Sequence, residues 1–176
     1  MTDPTRRVMV FIDGGYAVQA AKYMGLDCER VDWRGFSERL GRGRRFIRSY
    51  FYYAWPDSLS TEETKFRDWL HELSYVTLRD GQLVGKGEAK RQKGVDVRMA
   101  LDMVLLALRG AYDVAVVVSG DADLVEAVEE VKREGKHVEL GYFSVPVAGV
   151  AGALRNACDM HDEVSSWVRE CVIQRG

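Results

Sequence analysis

Two runs of five residues limit what this chain can fold into. Val8-Met9-Val10-Phe11-Ile12 and Val114-Ala115-Val116-Val117-Val118 are apolar throughout. A strand with one wet face alternates polar and apolar side chains. An uninterrupted run asks for burial on both faces, as in a parallel sheet covered by helices on either side. Each run stops at a breaker that carries acids: Asp13-Gly14-Gly15 after the first, Ser119-Gly120-Asp121-Ala122-Asp123 after the second.

The segments around these runs alternate in period. Residues 16–24 and 33–40 are helical in pattern, and 46–55, rich in aromatic and β-branched residues, predict a strand. Ser60 followed by Glu63 has the form of a capping box and starts a helix running to about residue 73. Residues 75–78 predict a short strand, and 79–94, polar and basic, a loop or a loose hairpin. Val95, Met99, Met103 and Leu106 recur at helical spacing over 95–108. Beyond the second apolar run come a helix over 121–134, a strand over 137–143, and helices near 151–157 and 163–173. Strand–helix alternation of this kind predicts a three-layer α/β/α fold with a mostly parallel central sheet. With no repeat or linker, residues 1–176 form one domain with its core in about 8–165.

Composition narrows the class further. Of 176 residues, 47% are hydrophobic and 30% charged, which suits a soluble domain with a sizeable core. A net charge of −2 gives no global attraction to nucleic acid, so an anionic partner needs a local basic patch. No apolar run is long enough for a signal-peptide core or a membrane span. Cys28, Cys158 and Cys171 are scattered and odd in number, which implies no disulfide framework and a reducing, cytoplasmic setting. Cys158-x-x-His161 lacks a second half for a zinc site, and ordinary packing is its simpler explanation.

Ligands of open parallel sheets bind at the carboxyl ends of strands. Asp13 stands at the end of the first apolar run, and Asp121 and Asp123 just after the second. If the two strands are neighbours, three carboxylates meet at one edge. Asp96 joins them only if the helix it begins packs antiparallel to the strands. Crowded carboxylates repel and lose hydration, unless a divalent cation reverses the sign of the interaction. An all-oxygen set without His or Cys favours Mg²⁺ or Mn²⁺, and with it phosphodiester chemistry. The competing explanation is capping: each Asp also sits where helix N-caps sit, and Asp123 with Glu126 has the spacing of a capping box.

Three segments carry a family resemblance: Phe11-Ile12-Asp13-Gly14-Gly15, Lys93-Gly94-Val95-Asp96-Val97 and Val118-Ser119-Gly120-Asp121-Ala122-Asp123-Leu124. In order and rough spacing they resemble the NYN family, PIN-like ribonuclease domains that include LabA-type bacterial proteins. The resemblance spans about residues 8–165. It implies a PIN-like sheet, a divalent-metal centre and hydrolysis of single-stranded RNA, with Asp13, Asp96, Asp121 and Asp123 at the family's acidic positions. Ser119 matches a small hydroxyl residue before the last pair, and Asp102 a recurrent acid in the helix. Six residues turn a helix through roughly 600°, so Asp102 lies off the face of Asp96 and is assigned a supporting role. Small PIN-like domains often dimerise, so a homodimer is also implied. One position departs: many members carry Asn three residues after the first Asp, where this chain has Tyr16. Tyr16 could stack on a base or belong to the core.

Lys86, Lys90, Arg91, Lys93 and Arg98 form a basic stretch leading into Asp96, suited to holding an RNA backbone; a solvated loop is the plainer alternative. Arg42, Arg44, Arg45 and Arg48 form a second cluster. A haloacid-dehalogenase-type phosphatase needs a second Asp two residues after the first, where Gly15 stands. A dinucleotide site needs a Gly-x-Gly-x-x-Gly cradle, which Asp13-Gly14-Gly15-Tyr16 lacks. The remaining rival is a module that binds RNA or protein with weak hydrolysis or none.

Overall fold

The computed structural model describes residues 3–84 and 91–174. Among them a seven-stranded sheet has the order β4-β3-β2-β1-β5-β6-β7. The strands are β1 (Arg7–Asp13), β2 (Arg45–Trp55), β3 (Val76–Val84), β4 (Arg91–Lys93), β5 (Val114–Val118), β6 (His137–Tyr142) and β7 (Met160–Glu163). Six run parallel; β4 pairs antiparallel with β3 at the edge. The helices are α1 (Gly14–Tyr23), α2 (Trp33–Leu40), α3 (Thr61–Glu72), α4 (Val95–Leu108), α5 (Val125–Arg133) and α6 (Gly152–Ala157).

The two apolar runs are the adjacent central strands β1 and β5, and every residue of β5 is buried. Alternate β1 residues feed opposite cores. Val8, Val10 and Ile12 pack with Ala17, Val18, Trp33, Phe36 and Leu70 from α1–α3. Met9 and Phe11 pack with Met99, Met103, Val128, Val131 and Leu154 from α4–α6. Helices thus cover both faces, which is why neither five-residue run carries a polar side chain. From β1 the chain winds outward one way to β3 and the other way from β5 to β7. The reversal between β1 and β5 opens a crevice at their carboxyl ends, where open α/β sheets receive ligands.

Other expectations met their local chemistry. At α3, Ser60 accepts from the Glu63 N–H at 3.1 Å while Glu63 accepts from the Ser60 N–H at 2.7 Å, a closed capping box. Strand β3 continues to Val84 instead of ending at residue 78, and with β4 it makes the loose hairpin. Its polar residues belong to a strand near the sheet edge: Arg79 pairs with Asp102, and Asp80 accepts from the Trp55 indole. The segment expected as one helix over 121–134 begins with a 3₁₀ turn, Ala122–Leu124, before α5. The helix expected over 163–173 does not form. Met160–Glu163 instead adds strand β7 beside β6, followed by short 3₁₀ turns at Val164–Ser166 and Val168–Cys171. Glu163 is consumed by the strand, and Val172 leaves to bridge Val31.

Candidate active site

Strand register brings the first acids together. Ile12 lies opposite Val118, so Asp13 and Ser119 emerge side by side at the crevice. Ser119 is fully buried, and its hydroxyl donates to Asp13 Oδ2 at 3.0 Å while accepting from the Asp121 N–H at 3.2 Å. This serine ties the end of β1 to the turn after β5. Asp13 Oδ1 also accepts from the Tyr16 N–H at 3.1 Å, capping α1. Capping and membership of the acidic cluster therefore coexist in one side chain.

The crevice has a volume of about 550 Å³ and is lined by Asp13, Tyr16, Gln19, Asp96, Asp121 and the loop around Gly149. Asp96 reaches it because Gly94, at φ 74°, turns the chain into α4. Burial raises the Asp96 carboxyl to about 6, helped by repulsion from Asp13, Asp121 and Asp123. Burial also raises the Asp13 carboxyl, against the hydrogen bonds from Tyr16 and Ser119, which favour its charged form. Among the described residues no Lys or Arg forms an ion pair with any of the four aspartates.

The four are not equivalent. Strand ends argue first for Asp13, Asp121 and Asp123, yet Asp96 lines the crevice and Asp123 does not. Asp123 is exposed and borders a neighbouring groove between α4 and α5, together with Asp96, Glu126 and Glu130. The Asp123–Glu126 capping box is absent, since it is Asp121 that caps, accepting from the Asp123 N–H at 2.9 Å.

Tyr16 is not free to stack on a base. Its hydroxyl accepts from the Phe143 N–H at 3.0 Å and its ring meets Phe143 edge-on at 5.8 Å. Asp102 lies away from the crevice, accepting from Tyr52 Oη at 2.8 Å and from the Arg79 guanidinium through both oxygens at 3.0 Å. Arg98 is exposed and donates to the Asp80 carbonyl at 2.5 Å. Lys86 and Lys90 lie outside the described residues; Arg91 and Lys93 fall in β4, and their side chains are likewise outside the description. Three of the second basic cluster are structural: Arg44 is buried in a two-pronged pair with Glu139 at 2.7 Å, Arg42 pairs with Asp162, and Arg48 donates to Thr77, while Arg45 is exposed.

Two parts of the crevice escaped sequence reasoning. Gln19 lies three residues after Tyr16, on the same face of α1, a spacing that could have flagged it. Val147, Ala148 and Gly149 follow β6, another strand whose carboxyl end opens at this edge.

The donors suit a hard, hydrated cation. Among the described residues no three His, Cys, Asp or Glu side chains form a ready-made cage. Mg²⁺ rarely uses one: it keeps several waters and takes one or two carboxylates. Asp13, Asp96 and Asp121 around an open crevice, with one carboxyl pushed up by burial and by its acidic neighbours, fit that habit.

A mostly parallel sheet covered by helices on both faces, with an acidic crevice where its strand order reverses, defines a three-layer α/β domain. The chain belongs to the NYN domain family, whose model matches residues 7–164; the family is PIN-like and generally one of nucleases. A crystal structure of a protein of unknown function from Vibrio parahaemolyticus shares the fold, with a TM-score of 0.68 at 19% identity over 93% of this chain and 96% of that one. A UDP-glucosyltransferase from Polygonum tinctorium overlaps only loosely, with a TM-score of 0.39 at 18% identity over 82% of this chain and 30% of that one. Among curated proteins none matches. No described helix is long and apolar enough to cross a membrane.

Proposed function

We propose that the chain is a divalent-metal-dependent endoribonuclease, LabA-like within its family, acting on single-stranded RNA as one domain in the cytoplasm. Asp13, Asp96 and Asp121 would hold Mg²⁺ or Mn²⁺, with Asp123 at the rim. One observation carries the reading: Asp13, Asp96 and Asp121 line one crevice with no described cationic side chain paired to them, and burial, then the neighbouring carboxylates, raises Asp96 to about 6. When bound, the cation supplies an activated water and charge stabilisation for phosphodiester cleavage. The chain's own contribution is placement. Ser119 and the Tyr16 N–H fix the Asp13 carboxylate, and Asp102 braces α4 against β2 and β3 through Tyr52 and Arg79. Lys86, Lys90, Arg91, Lys93 and Arg98 are proposed to hold the RNA backbone. Three free cysteines, two of them buried, suit a reducing compartment.

A second reading, a binding module with weak hydrolysis, draws on Tyr16. Its hydroxyl is committed to Phe143, where a side-chain amide in many family members could reach a metal-bound water or a phosphate. Labelled single-stranded RNA incubated with Mg²⁺ or Mn²⁺, with EDTA and Asp121→Asn controls, separates the two. Cleavage lost in both controls supports the nuclease. Binding without cleavage supports the module, and cleavage surviving both controls removes the metal site from consideration.

The proposal extends to a homodimer. Val97, Leu101, Leu105 and Leu108 stand 43–64% exposed along one side of α4. Their spacing of four, four and three residues is that of a helix-pairing seam. A two-fold dimer would bring the same stripe of each copy together and bury it. Light scattering of Leu101→Glu against the parent tests it: a shift from dimer to monomer supports this face, and a monomeric parent removes it.

A further inference from the structure

The acidic crevice does not end at the aspartates. Its Ala148–Gly149 wall is shared with a second depression of about 440 Å³, bounded by Tyr142, Phe143, Pro146 and Arg155. Tyr142 is the last residue of β6 and half-buried; Arg155 projects from α6 and is exposed. The guanidinium carbon of Arg155 lies 5.0 Å from the centre of the Tyr142 ring. Among the described residues Arg155 forms no ion pair, whereas Arg7, Arg39, Arg44 and Arg79 are all bound to carboxylates.

The backbone under this pair is fixed to the acidic site. Arg155 N–H donates to the Ala151 carbonyl at 3.1 Å, and the Ala151 N–H donates to the Gly120 carbonyl at 2.9 Å, one residue before Asp121. His161 Nε2 sits 2.7 Å from the Arg155 carbonyl and closes the other side. A guanidinium held over a tyrosine ring has one side covered by the ring. Its far side, and its N–H groups, are left for a ligand. A planar cationic face stacks on nucleobases, and its N–H edge meets phosphate oxygens.

We propose that Tyr142 and Arg155 form a nucleotide subsite that seats, on the outer face of the guanidinium, a base next to the scissile phosphate of single-stranded RNA. This rests on the nuclease reading above, and it adds the side of the crevice along which the strand leaves. The charge of the subsite is what the acidic centre lacks: a described cation, adjoining the crevice, with no carboxylate to neutralise it.

The test measures fluorescence anisotropy of a labelled oligouridylate with the Asp121→Asn protein in Mg²⁺, alone and with Arg155→Ala, Arg155→Lys or Tyr142→Leu added. Arg155→Ala is expected to weaken binding about tenfold, the scale of one lost base stack. Arg155→Lys keeps the charge and loses the plane, so about threefold loss with an unchanged salt dependence is expected. Tyr142→Leu, which removes the support, should lie between them. In the cleaving protein the same changes raise KM and leave kcat in place. Arg155 is exposed, so an unchanged melting temperature separates these effects from misfolding. Cleavage that depends on Asp121 but binding within twofold of the parent for both Arg155→Ala and Tyr142→Leu overturns the subsite alone. No RNA binding by the Asp121→Asn parent, with no cleavage by the native protein, overturns the subsite together with the nuclease reading.

Discussion

Replacing Asp96 with Asn should stabilise the metal-free protein at neutral pH while removing its response to metal. The carboxyl is raised from 3.8 to about 6, chiefly by burial and then by Asp13, Asp121 and Asp123. A raised carboxyl penalises the folded state once it ionises. Stability is therefore fullest below 3.8 and falls as pH climbs through about 6. A shift of that size corresponds to roughly 3 kcal/mol. Asp96 is only half-buried, and solvent screening reduces this to about 1–1.5 kcal/mol. Asn has nearly the same shape and no charge, so the variant escapes the loss. For a chain of this length the gain is about 2–6 °C in melting temperature. Thermal melts in EDTA at pH 7.5 should show the variant above the native protein, and the gap should close near pH 4. Adding Mg²⁺ should raise the native protein and leave the variant where it was. An equal or lower melting temperature for Asp96→Asn at pH 7.5 in EDTA, or a gain that persists unchanged to pH 4, would refute the idea that burial and neighbouring negative charge penalise the ionised carboxyl.

Other consequences are as definite. Glu139→Ala leaves Arg44 buried without its partner and should cost about 3–5 kcal/mol, read from a denaturant midpoint. Asp113 is held at about 2 by the Arg7 guanidinium, so its contribution is complete above 3.8 and disappears as pH falls toward 2; Asp113→Asn should flatten acid unfolding over that window. Gly120→Ala drives a methyl into the Gly149 carbonyl and should cost roughly 1–3 kcal/mol, with loss of metal-induced stabilisation beyond what the melting temperature explains.

What was legible in the sequence follows from what leaves a pattern. Residues 8–12 of β1 and all of β5 are buried on both faces, so they had no freedom to be polar. Helix α4 spans 95–108 as its apolar spacing implies, and the Ser60–Glu63 box is a local device that needs no tertiary context. Extension of β3 and the presence of β7 were hidden, because half-solvated strands owe their place to backbone pairing and carry mixed side chains. Site membership was legible where chain direction decides it, as at Asp13 and Asp121. It was not legible where a side chain's partner decides it. Tyr16 differs from a base-stacking residue only through Phe143, which is 127 residues away. Asp123 differs from Asp121 by a single 3₁₀ turn that no propensity announces.

The Ser119 bridge has a consequence for timing. It links Asp13 to a turn 106 residues later, and Asp96 reaches the crevice only when α4 lies across the finished sheet. No contiguous stretch of the chain owns the acidic centre. A nascent chain leaving the ribosome therefore carries Asp13 without a centre to place it in until β5 has been made. Whatever chemistry the crevice performs is withheld until β5 has inserted beside β1, a long-range step that forms late in topologies of this kind.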